Sequence, residues 1–336
     1  MKIFVSVPQN HRVRKGFFNE EVEKYLEERF EVEYSPLDRQ IEPEELSVYA
    51  KDADVIMTGW GHPMIDSKAL ENTLVKLIVH TGGSVADYVS DDVYAKGVRV
   101  ISGNELFAES VAEGTIAYMM LALRKMPDYV EDMRQGNWKS DLCPPTEGLL
   151  DQTIGIIGVG AISRILVQML KPFRVKLKLY SGYPIEEEFL KEHNAVQTSL
   201  EDIFATCKIV SLHSSLTERT RGMIGKEHFD LLQDGAIFVN TARGAIIREE
   251  EMVEALKENR FRAVLDVYCT EPLDINSPLR TMKNVYCMPH KGGPTSDRAA
   301  MITMRLADEM VHFAEGKSVK YEISNEYAKR MTRQRG

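Results

Sequence analysis

The clearest chemical signal in the sequence is a glycine turn between an apolar run and a helical pattern. Residues 154–157 are apolar and numerous enough for one buried strand, and Gly158-Val159-Gly160 follows them directly. Gly158 permits a tight turn, and Gly160 lets the backbone approach a pyrophosphate at the positive end of the next helix. This order predicts the first half of a dinucleotide-binding unit, with a plain strand–helix turn as the alternative. Ser163 stands where the pattern has its third glycine.

Two glycine-containing loops in the first third of the chain also follow predicted strands. They are Thr58-Gly59-Trp60-Gly61-His62 and His80-Thr81-Gly82-Gly83-Ser84. Ligands of open α/β sheets bind beyond the carboxyl ends of the strands. The backbone amides of Gly82 and Gly83 are therefore candidates for binding an anion, and a plain turn explains the same glycines equally well.

The elements that position these loops alternate along the chain. Polar, helix-prone segments such as residues 18–30 separate the short apolar runs, and residues 109–125 and 298–315 have the pattern of long helices. Such alternation predicts an α/β fold with parallel sheets that are covered on both faces. The predicted strands are residues 3–7, 54–58, 77–80, 98–101, 154–157, 175–180, 209–213, 236–240, 263–267 and 285–288.

Composition narrows the class of protein. The 336 residues are 43% hydrophobic and 28% charged, which is typical of a globular chain with two domains. A net charge of −9 argues against a general nucleic-acid binder, which needs a basic face. We expect no membrane segment, because no apolar run approaches about 20 residues. The scattered cysteines indicate neither a metal site nor a disulfide framework and favour a reduced cytoplasm; they are Cys143, Cys207, Cys269 and Cys287.

Longer motifs occur in order along the chain. They are Ile157-Gly158-Val159-Gly160-Ala161-Ile162, Val239-Asn240-Thr241-Ala242-Arg243-Gly244, Leu265-Asp266-Val267-Tyr268-Cys269-Thr270-Glu271-Pro272 and Pro289-His290-Lys291-Gly292-Gly293-Pro294-Thr295. Together they resemble the D-isomer-specific 2-hydroxyacid dehydrogenases, over most of the chain after residue 77. The resemblance implies a Rossmann-type dinucleotide-binding domain, residues 102–294, inserted into a flavodoxin-like substrate domain, residues 1–101 and 295–336. It also implies a cleft between the two domains.

The resemblance assigns catalytic roles to Arg243, Glu271 and His290. Reduction of a 2-keto acid needs a cation for the carboxylate, an acid for the new alkoxide and a hydride donor. Arg243 has a fork of donors that suits a carboxylate, and His290 is expected to be the acid in reduction and the base in oxidation. A buried Glu271 beside His290 would orient the imidazole and favour its charged form.

The same resemblance implies contacts with the coenzyme and the substrate. Asp266 is expected to accept a hydrogen bond from the nicotinamide carboxamide. The residues expected to bind the substrate are Gly82, Gly83 and Arg243. No metal site is expected. The predicted coenzyme-binding residues are Gly158, Gly160, Ala161, Ile162, Ser181, His213, Ser214, Thr241, Asp266 and Gly292. Of the other histidines, His11, His193, His228 and His312 are expected to be solvated, and His62, His80 and His213 to line the site.

The coenzyme is predicted to be NAD or NADP. Enzymes that select NAD carry an acid at the end of the second strand, and here that strand is followed by Ser181-Gly182-Tyr183. Without the acid, NADPH should be accepted at least as well as NADH. No Arg or Lys directly follows the strand to hold a 2′-phosphate.

The sequence therefore predicts hydride transfer between NAD(P)H and a small 2-keto acid or D-2-hydroxy acid. The partners are a small molecule and a second copy of the chain, without nucleic acid or membrane. The homodimer is expected to form through the helix at residues 109–125 and an arm at residues 128–150. Two alternatives stay open: a dehydrogenase-like co-regulator that senses dinucleotide, and a formate- or phosphite-type dehydrogenase of the same fold.

Overall fold

The computed structural model describes residues 1–138 and 146–333. Residues 139–145 of the predicted arm, which include Cys143, lie outside the described residues. The strands within the described part are β1 Lys2–Val5, β2 Glu31–Tyr34, β3 Val55–Thr58, β4 Leu77–His80, β5 Arg99–Ser102, β6 Thr153–Ile157, β7 Lys176–Tyr180, β8 Ala195–Gln197, β9 Ile209–Leu212, β10 Ile237–Asn240, β11 Arg262–Leu265 and β12 Val285–Cys287.

Helices connect and cover these strands. Short 3₁₀ helices also occur at Lys171–Phe173, Gly244–Ile246 and Pro278–Arg280. The α-helices are α1 Arg12–Phe17, α2 Glu20–Glu27, α3 Pro43–Tyr49, α4 Asp91–Ala95, α5 Asn104–Leu123, α6 Met126–Arg134, α7 Ala161–Leu170, α8 Glu187–Glu192, α9 Leu200–Thr206, α10 Lys226–Phe229, α11 Glu249–Lys257, α12 Ser296–Ala314 and α13 Asn325–Ala328.

The chain divides into two compact units. The first comprises Met1–Phe107 and Pro294–Gly336, and the second comprises Ala108–Gly293. Each unit contains one of the two sheets, and every strand pair in both sheets is parallel. The predicted α/β class is confirmed.

The sheet of the first unit has the order β2-β1-β3-β4-β5. This is the order of flavodoxin-like folds. Side chains alternate along its central strands, so Val55 and Met57 pack beneath α1, α2 and α12, whereas Ile56 packs on the opposite face with Leu46 and Val93. Burial on both faces explains why these strands are continuous apolar runs.

The sheet of the second unit has the order β12-β11-β10-β9-β6-β7-β8. When β6 is taken as the first strand, the order β8-β7-β6-β9-β10-β11 is the Rossmann order 3-2-1-4-5-6. Strand β12 adds a seventh strand beside β11. The chain leaves β6 toward β7 on one side, and β9 then returns to pair with β6 on the other side. This reversal creates a crevice between β6 and β9 at their carboxyl ends, where open α/β sheets bind ligands.

Helix α5 corrects one expectation. It is 20 residues long and, by length and composition alone, apolar enough to cross a membrane. The expectation that no apolar run approaches this length therefore does not hold. The core helices of soluble proteins meet the same criterion, and Ala112 and Met119 of α5 are fully buried in a cluster with Ile154 and Ile156 of β6.

Candidate active site

The predicted site residues of the second unit lie at one edge of its sheet. Six neighbouring strands end beside them, and parallel strands bring their carboxyl ends to the same edge. From one side to the other, the strands are followed by His290 and Gly292 after β12, Asp266 and Glu271 after β11, Thr241 and Arg243 after β10, His213 and Ser214 after β9, Gly158 and Gly160 after β6, and Ser181 after β7.

The glycine turn has the geometry that a pyrophosphate requires. Gly158 has a φ of +93°, and a side chain at this residue would lie 2.5 Å from the Ser214 nitrogen, so only glycine fits. Gly160 is the N-cap of α7, and no side chain of the described residues caps the helix, which leaves the first amides of Ala161 and Ile162 available to a ligand. Ser163 stands at the position of the third glycine, and its hydroxyl donates to the Gly158 carbonyl at 2.5 Å.

His213 is buried beside this turn. Its Nε2 lies 2.8 Å from the Ser211 hydroxyl, and its Nδ1 has no hydrogen-bond partner among the described residues. Burial lowers the pKa of His213 to about 4, so the imidazole is neutral at neutral pH. A buried nitrogen without a partner next to an uncapped helix suits a polar ligand, and these residues together fit a bound dinucleotide.

His290 and Glu271 form a direct pair. The Nδ1 of His290 lies 2.7 Å from Oε2 of Glu271, and the second carboxylate oxygen, Oε1, accepts the Tyr268 amide at 3.0 Å. The expectation of a buried carboxylate is wrong, because the side chain of Glu271 is 36% exposed and that of His290 is 48% exposed. Solvent therefore screens this pair more than a buried one.

Asp266 holds the backbone that carries His290. His290 has a φ of +53°, a left-handed conformation that is uncommon outside glycine. The two amides that follow it, of Lys291 and Gly292, each donate to Asp266 at 2.7 Å, and the Tyr118 hydroxyl donates to the same carboxylate at 3.0 Å. Three protein donors thus surround the carboxylate that was predicted to accept from the coenzyme carboxamide.

Arg243 is positioned by the turn that follows β10. Its own carbonyl accepts from the side-chain Nδ2 of Asn240 at 3.2 Å, and its Nη1 donates to the Ala242 carbonyl at 2.7 Å. Gly244 allows the loop after β11 to pass directly over this turn, because a side chain there would lie 1.9 Å from the Tyr268 carbonyl carbon. The close approach brings the loops that carry Arg243 and Glu271 against each other.

The glycine loop of the first unit lies on a buried polar cluster. A side chain on Gly82 would lie 2.5 Å from His80 Nε2 and 2.8 Å from Trp60 Nε1. Within residues 1–138 and 146–333, the amides of Gly82 and Gly83 make no hydrogen bond. Burial lowers the pKa of His62 to about 4 and that of His80 to about 3, so both rings are neutral at neutral pH.

Two histidines that were expected to be solvated are largely buried. The His228 ring lies 5.3 Å from the Phe204 ring, and its Nδ1 accepts the Gly225 amide at the start of α10. The His193 ring lies 4.6 Å from that of Phe189, and its side chain is 5% exposed. Both serve helix packing, where an imidazole offers an apolar face with a polar edge.

Two residues near the site were not predicted from the sequence. Tyr118 bonds to Asp266, and the Thr115 hydroxyl lies 3.2 Å from that of Thr241 after β10. Thr115 and Tyr118 are three residues apart and therefore share a face of α5. Their spacing within an otherwise apolar stretch was a signal for a polar role.

Known proteins resemble the chain in sequence and in fold. Residues 116–292 match the D-isomer specific 2-hydroxyacid dehydrogenase, NAD binding domain. The chain is 29% identical over 264 residues to a glyoxylate reductase/hydroxypyruvate reductase of Homo sapiens, covering 77% of this chain and 80% of that protein. It is 33% identical over 240 residues to a glyoxylate reductase of Aeropyrum pernix, covering 69% of this chain and 71% of that protein.

A solved structure shares the fold at lower identity. A phosphoglycerate oxidoreductase from Rhizobium etli has a TM-score of 0.81 and 19% identity, and the match covers 97% of this chain and 99% of that one. The matched family model is that of an NAD-binding domain, and an acyclic imino acid reductase with a similar fold, at 20% identity and a TM-score of 0.75, was solved in complex with NADPH. The matched domain and the 33% identical relative together show that the chain belongs to the D-isomer-specific 2-hydroxyacid dehydrogenase family and is an NAD(P)-dependent oxidoreductase of 2-keto and 2-hydroxy acids.

Proposed function

We propose that the chain reduces a short 2-keto acid of the glyoxylate or hydroxypyruvate type, with His290, Glu271 and Arg243 as its catalytic residues. The observation that carries the proposal is the 2.7 Å contact between His290 Nδ1 and Glu271 Oε2. This pair lies at the same sheet edge as Arg243 and the Gly158 turn. The names of the relatives support a short substrate, since two of them are glyoxylate reductases.

His290 is proposed to move the proton. Glu271 occupies Nδ1 and fixes the tautomer, so the exchangeable proton is carried by Nε2. In reduction this nitrogen protonates the oxygen that was the keto group, and in oxidation it removes the same proton. The Asp266 contacts to Lys291 and Gly292 keep the imidazole in place through its own backbone.

Arg243 is proposed to bind the substrate carboxylate and to polarise the keto oxygen. A guanidinium presents parallel donors that match two carboxylate oxygens. The amides of Gly82 and Gly83 are also proposed to bind the substrate, because neither amide makes a hydrogen bond within the described residues. The unit of Met1–Phe107 and Pro294–Gly336 is accordingly proposed as the substrate domain, and Ala108–Gly293 as the coenzyme domain.

The coenzyme is proposed to lie across the edge between β7 and β12. The Gly158–Ile162 segment would hold its pyrophosphate, and Ser181, His213, Ser214, Thr241 and Gly292 would line it. When bound, the reduced nicotinamide supplies the hydride.

A panel of 2-keto acids tests this function. We expect loss of reduced-coenzyme absorbance with glyoxylate and hydroxypyruvate, and lower kcat/KM with phenylpyruvate as a bulky control. Formate and phosphite, assayed with the oxidised coenzyme, test the alternative donors. Turnover with either donor and with no 2-keto acid would contradict the proposal.

Replacement of Glu271 with Gln should retain activity at a reduced kcat. Glutamine can still contact Nδ1 of His290, but it removes the carboxylate that holds this nitrogen at 2.7 Å and the Tyr268 amide at 3.0 Å. The imidazole is then held less firmly, and kcat for reduction should fall by about 10-fold, the scale of a lost hydrogen bond to a charged group. Glu249→Gln is the matched control, because Glu249 accepts the nearby Cys269 amide without contacting His290. A kcat equal to that of the wild type in Glu271→Gln would show that the pair has no role in proton transfer.

A homodimer is also proposed, formed in part by α6 and the residues after it. Within the described residues α6 has no buried side chain. Its apolar side chains Met126, Val130 and Met133 recur at helical spacing and are about half exposed, and Trp138 beyond the helix is 75% exposed. A contiguous apolar surface of this kind is typical of an interface, and a second copy of the chain is its proposed partner.

Sedimentation should show a dimer at micromolar concentration, and Val130→Glu should shift it toward monomer. A charge placed in an apolar interface is desolvated without a partner, which costs more than typical surface substitutions. Val48→Glu is the control, because Val48 is an exposed valine on α3 in the other unit. Wild-type protein that sediments only as monomer would refute the dimer.

The proposed compartment is the cytoplasm. Cys207, Cys269 and Cys287 are free thiols, as expected for a reducing environment.

A further inference from the structure

We propose that Arg219 binds the 2′-phosphate of NADPH and gives the chain a preference for NADPH over NADH. The proposal rests on the coenzyme site proposed above. It concerns a residue from the loop after β9, far in sequence from the end of β7, where the ribose of a dinucleotide is recognised.

The structure brings Arg219 to the end of β7. A side chain built on Gly182 would lie 3.6 Å from Cζ, Nη1 and Nη2 of Arg219. Three equal distances mean that the flat face of the guanidinium covers Gly182, with its N–H groups directed sideways. This distance is ordinary van der Waals contact, so Gly182 and Arg219 together form the surface that follows β7.

The N–H groups of the Arg219 guanidinium are available to a ligand. In residues 1–138 and 146–333, the structure gives this side chain no hydrogen bond and no ion pair, and the residue is exposed. Glu186, the nearest acid after β7 in the sequence, is paired with Arg164 at 2.6 Å. The carboxylate that would repel a 2′-phosphate is thus neutralised by one arginine, while a second arginine keeps its donors free.

Ser181 adds a neutral donor at the same position. Its Oγ accepts the Tyr183 amide at 3.2 Å, which leaves the hydroxyl hydrogen free to donate. Phosphate is bound well by a guanidinium fork together with a hydroxyl and backbone amides, because each phosphate oxygen accepts several hydrogen bonds. A ribose with a free 2′-hydroxyl offers Arg219 no charge, so the same residues bind NADH less tightly.

Coenzyme binding, measured by isothermal titration without substrate, tests the proposal. We expect wild-type protein to bind NADPH about tenfold or more tightly than NADH, and Arg219→Ala to weaken NADPH binding by about 10- to 100-fold, which is the scale of a charge-assisted contact. NADH binding should change by less than about threefold, since it lacks the phosphate. Arg174→Ala is the control, because Arg174 has the same charge but pairs with Asp151 at the opposite end of β7.

Two further ligands separate the possible outcomes. Adenosine 2′,5′-bisphosphate should bind the wild type and lose affinity in Arg219→Ala, whereas adenosine 5′-monophosphate should not distinguish the two proteins. Equal weakening of NADPH and NADH in Arg219→Ala, or a wild-type preference for NADH, would overturn the proposal. Failure to reduce any 2-keto acid would refute the proposed substrate but would leave this ratio of coenzyme affinities unchanged.

Discussion

Replacement of His290 with Gln is expected to lower kcat for 2-keto acid reduction by about two orders of magnitude or more, the scale of a lost general acid. Glutamine keeps a hydrogen-bonding side chain but cannot release a proton near neutral pH. The imidazole is about half exposed and makes its contact with Glu271 at the surface of the site, so the substitution should leave the fold intact. Coenzyme affinity should stay within a few fold of wild type, because the contacts of the Gly158 turn are unchanged.

The backbone at residue 290 requires a second variant. A φ of +53° disfavours glutamine, and a shifted backbone would also lower activity. Asparagine tolerates this left-handed conformation better and has no acid function either. We therefore expect His290→Asn and His290→Gln to lose similar activity. Substantial turnover in His290→Asn would mean that the conformation of the loop, rather than proton transfer, sets the rate.

Replacement of Arg243 with Lys is expected to lower kcat/KM by about 10- to 100-fold while coenzyme binding persists. Lysine keeps the positive charge but offers a point donor in place of the bidentate fork. The loss should appear in both KM and kcat, because the guanidinium is proposed to bind the carboxylate and also to polarise the reacting carbonyl.

Arg248→Lys provides a matched control for this substitution. Arg248 also binds carboxylates with several donors, Glu251 among them at 2.8 Å, but it belongs to the start of α11 and not to the proposed site. Near-normal kcat/KM in Arg243→Lys on every active keto acid would remove Arg243 from the site. An increase in KM with unchanged kcat would restrict its role to binding.

Each strand that the sequence predicted has two or more buried residues. The two that it did not predict, β2 and β8, are edge strands of their sheets. None of the Glu-Val-Glu-Tyr side chains of β2 is buried, and only Ala195 of β8 is. The other two edge strands, β5 and β12, have buried residues and were predicted. An edge strand that packs few side chains needs no apolar run, and its pairing depends on a neighbour that is distant in sequence.

The candidate site, like the strands, could be predicted only in part from the sequence. The order of the motifs predicted which loops contain the catalytic and coenzyme-binding residues. Each of these loops directly follows a strand that is recognisable in the sequence as an apolar run. The contacts of Tyr118 with Asp266 and of Arg219 with Gly182 join residues that no motif links, and only the packing of α5 and the loop after β9 brings them together. The exposure of Glu271 could not be predicted from the sequence either, since burial depends on the surrounding fold.

Hydride transfer to carbon 2 of the keto acid is the step that all the proposed residues serve, and deuterium tests it directly. The wild-type enzyme is incubated with glyoxylate and reduced coenzyme that carries deuterium at the transferable position of the nicotinamide, and the glycolate is examined by mass spectrometry and NMR. We expect one deuterium on carbon 2 of glycolate, and slower formation of the same product in His290→Gln. Coenzyme oxidation without deuterated glycolate, or product with only solvent hydrogen on carbon 2, would contradict the proposed function.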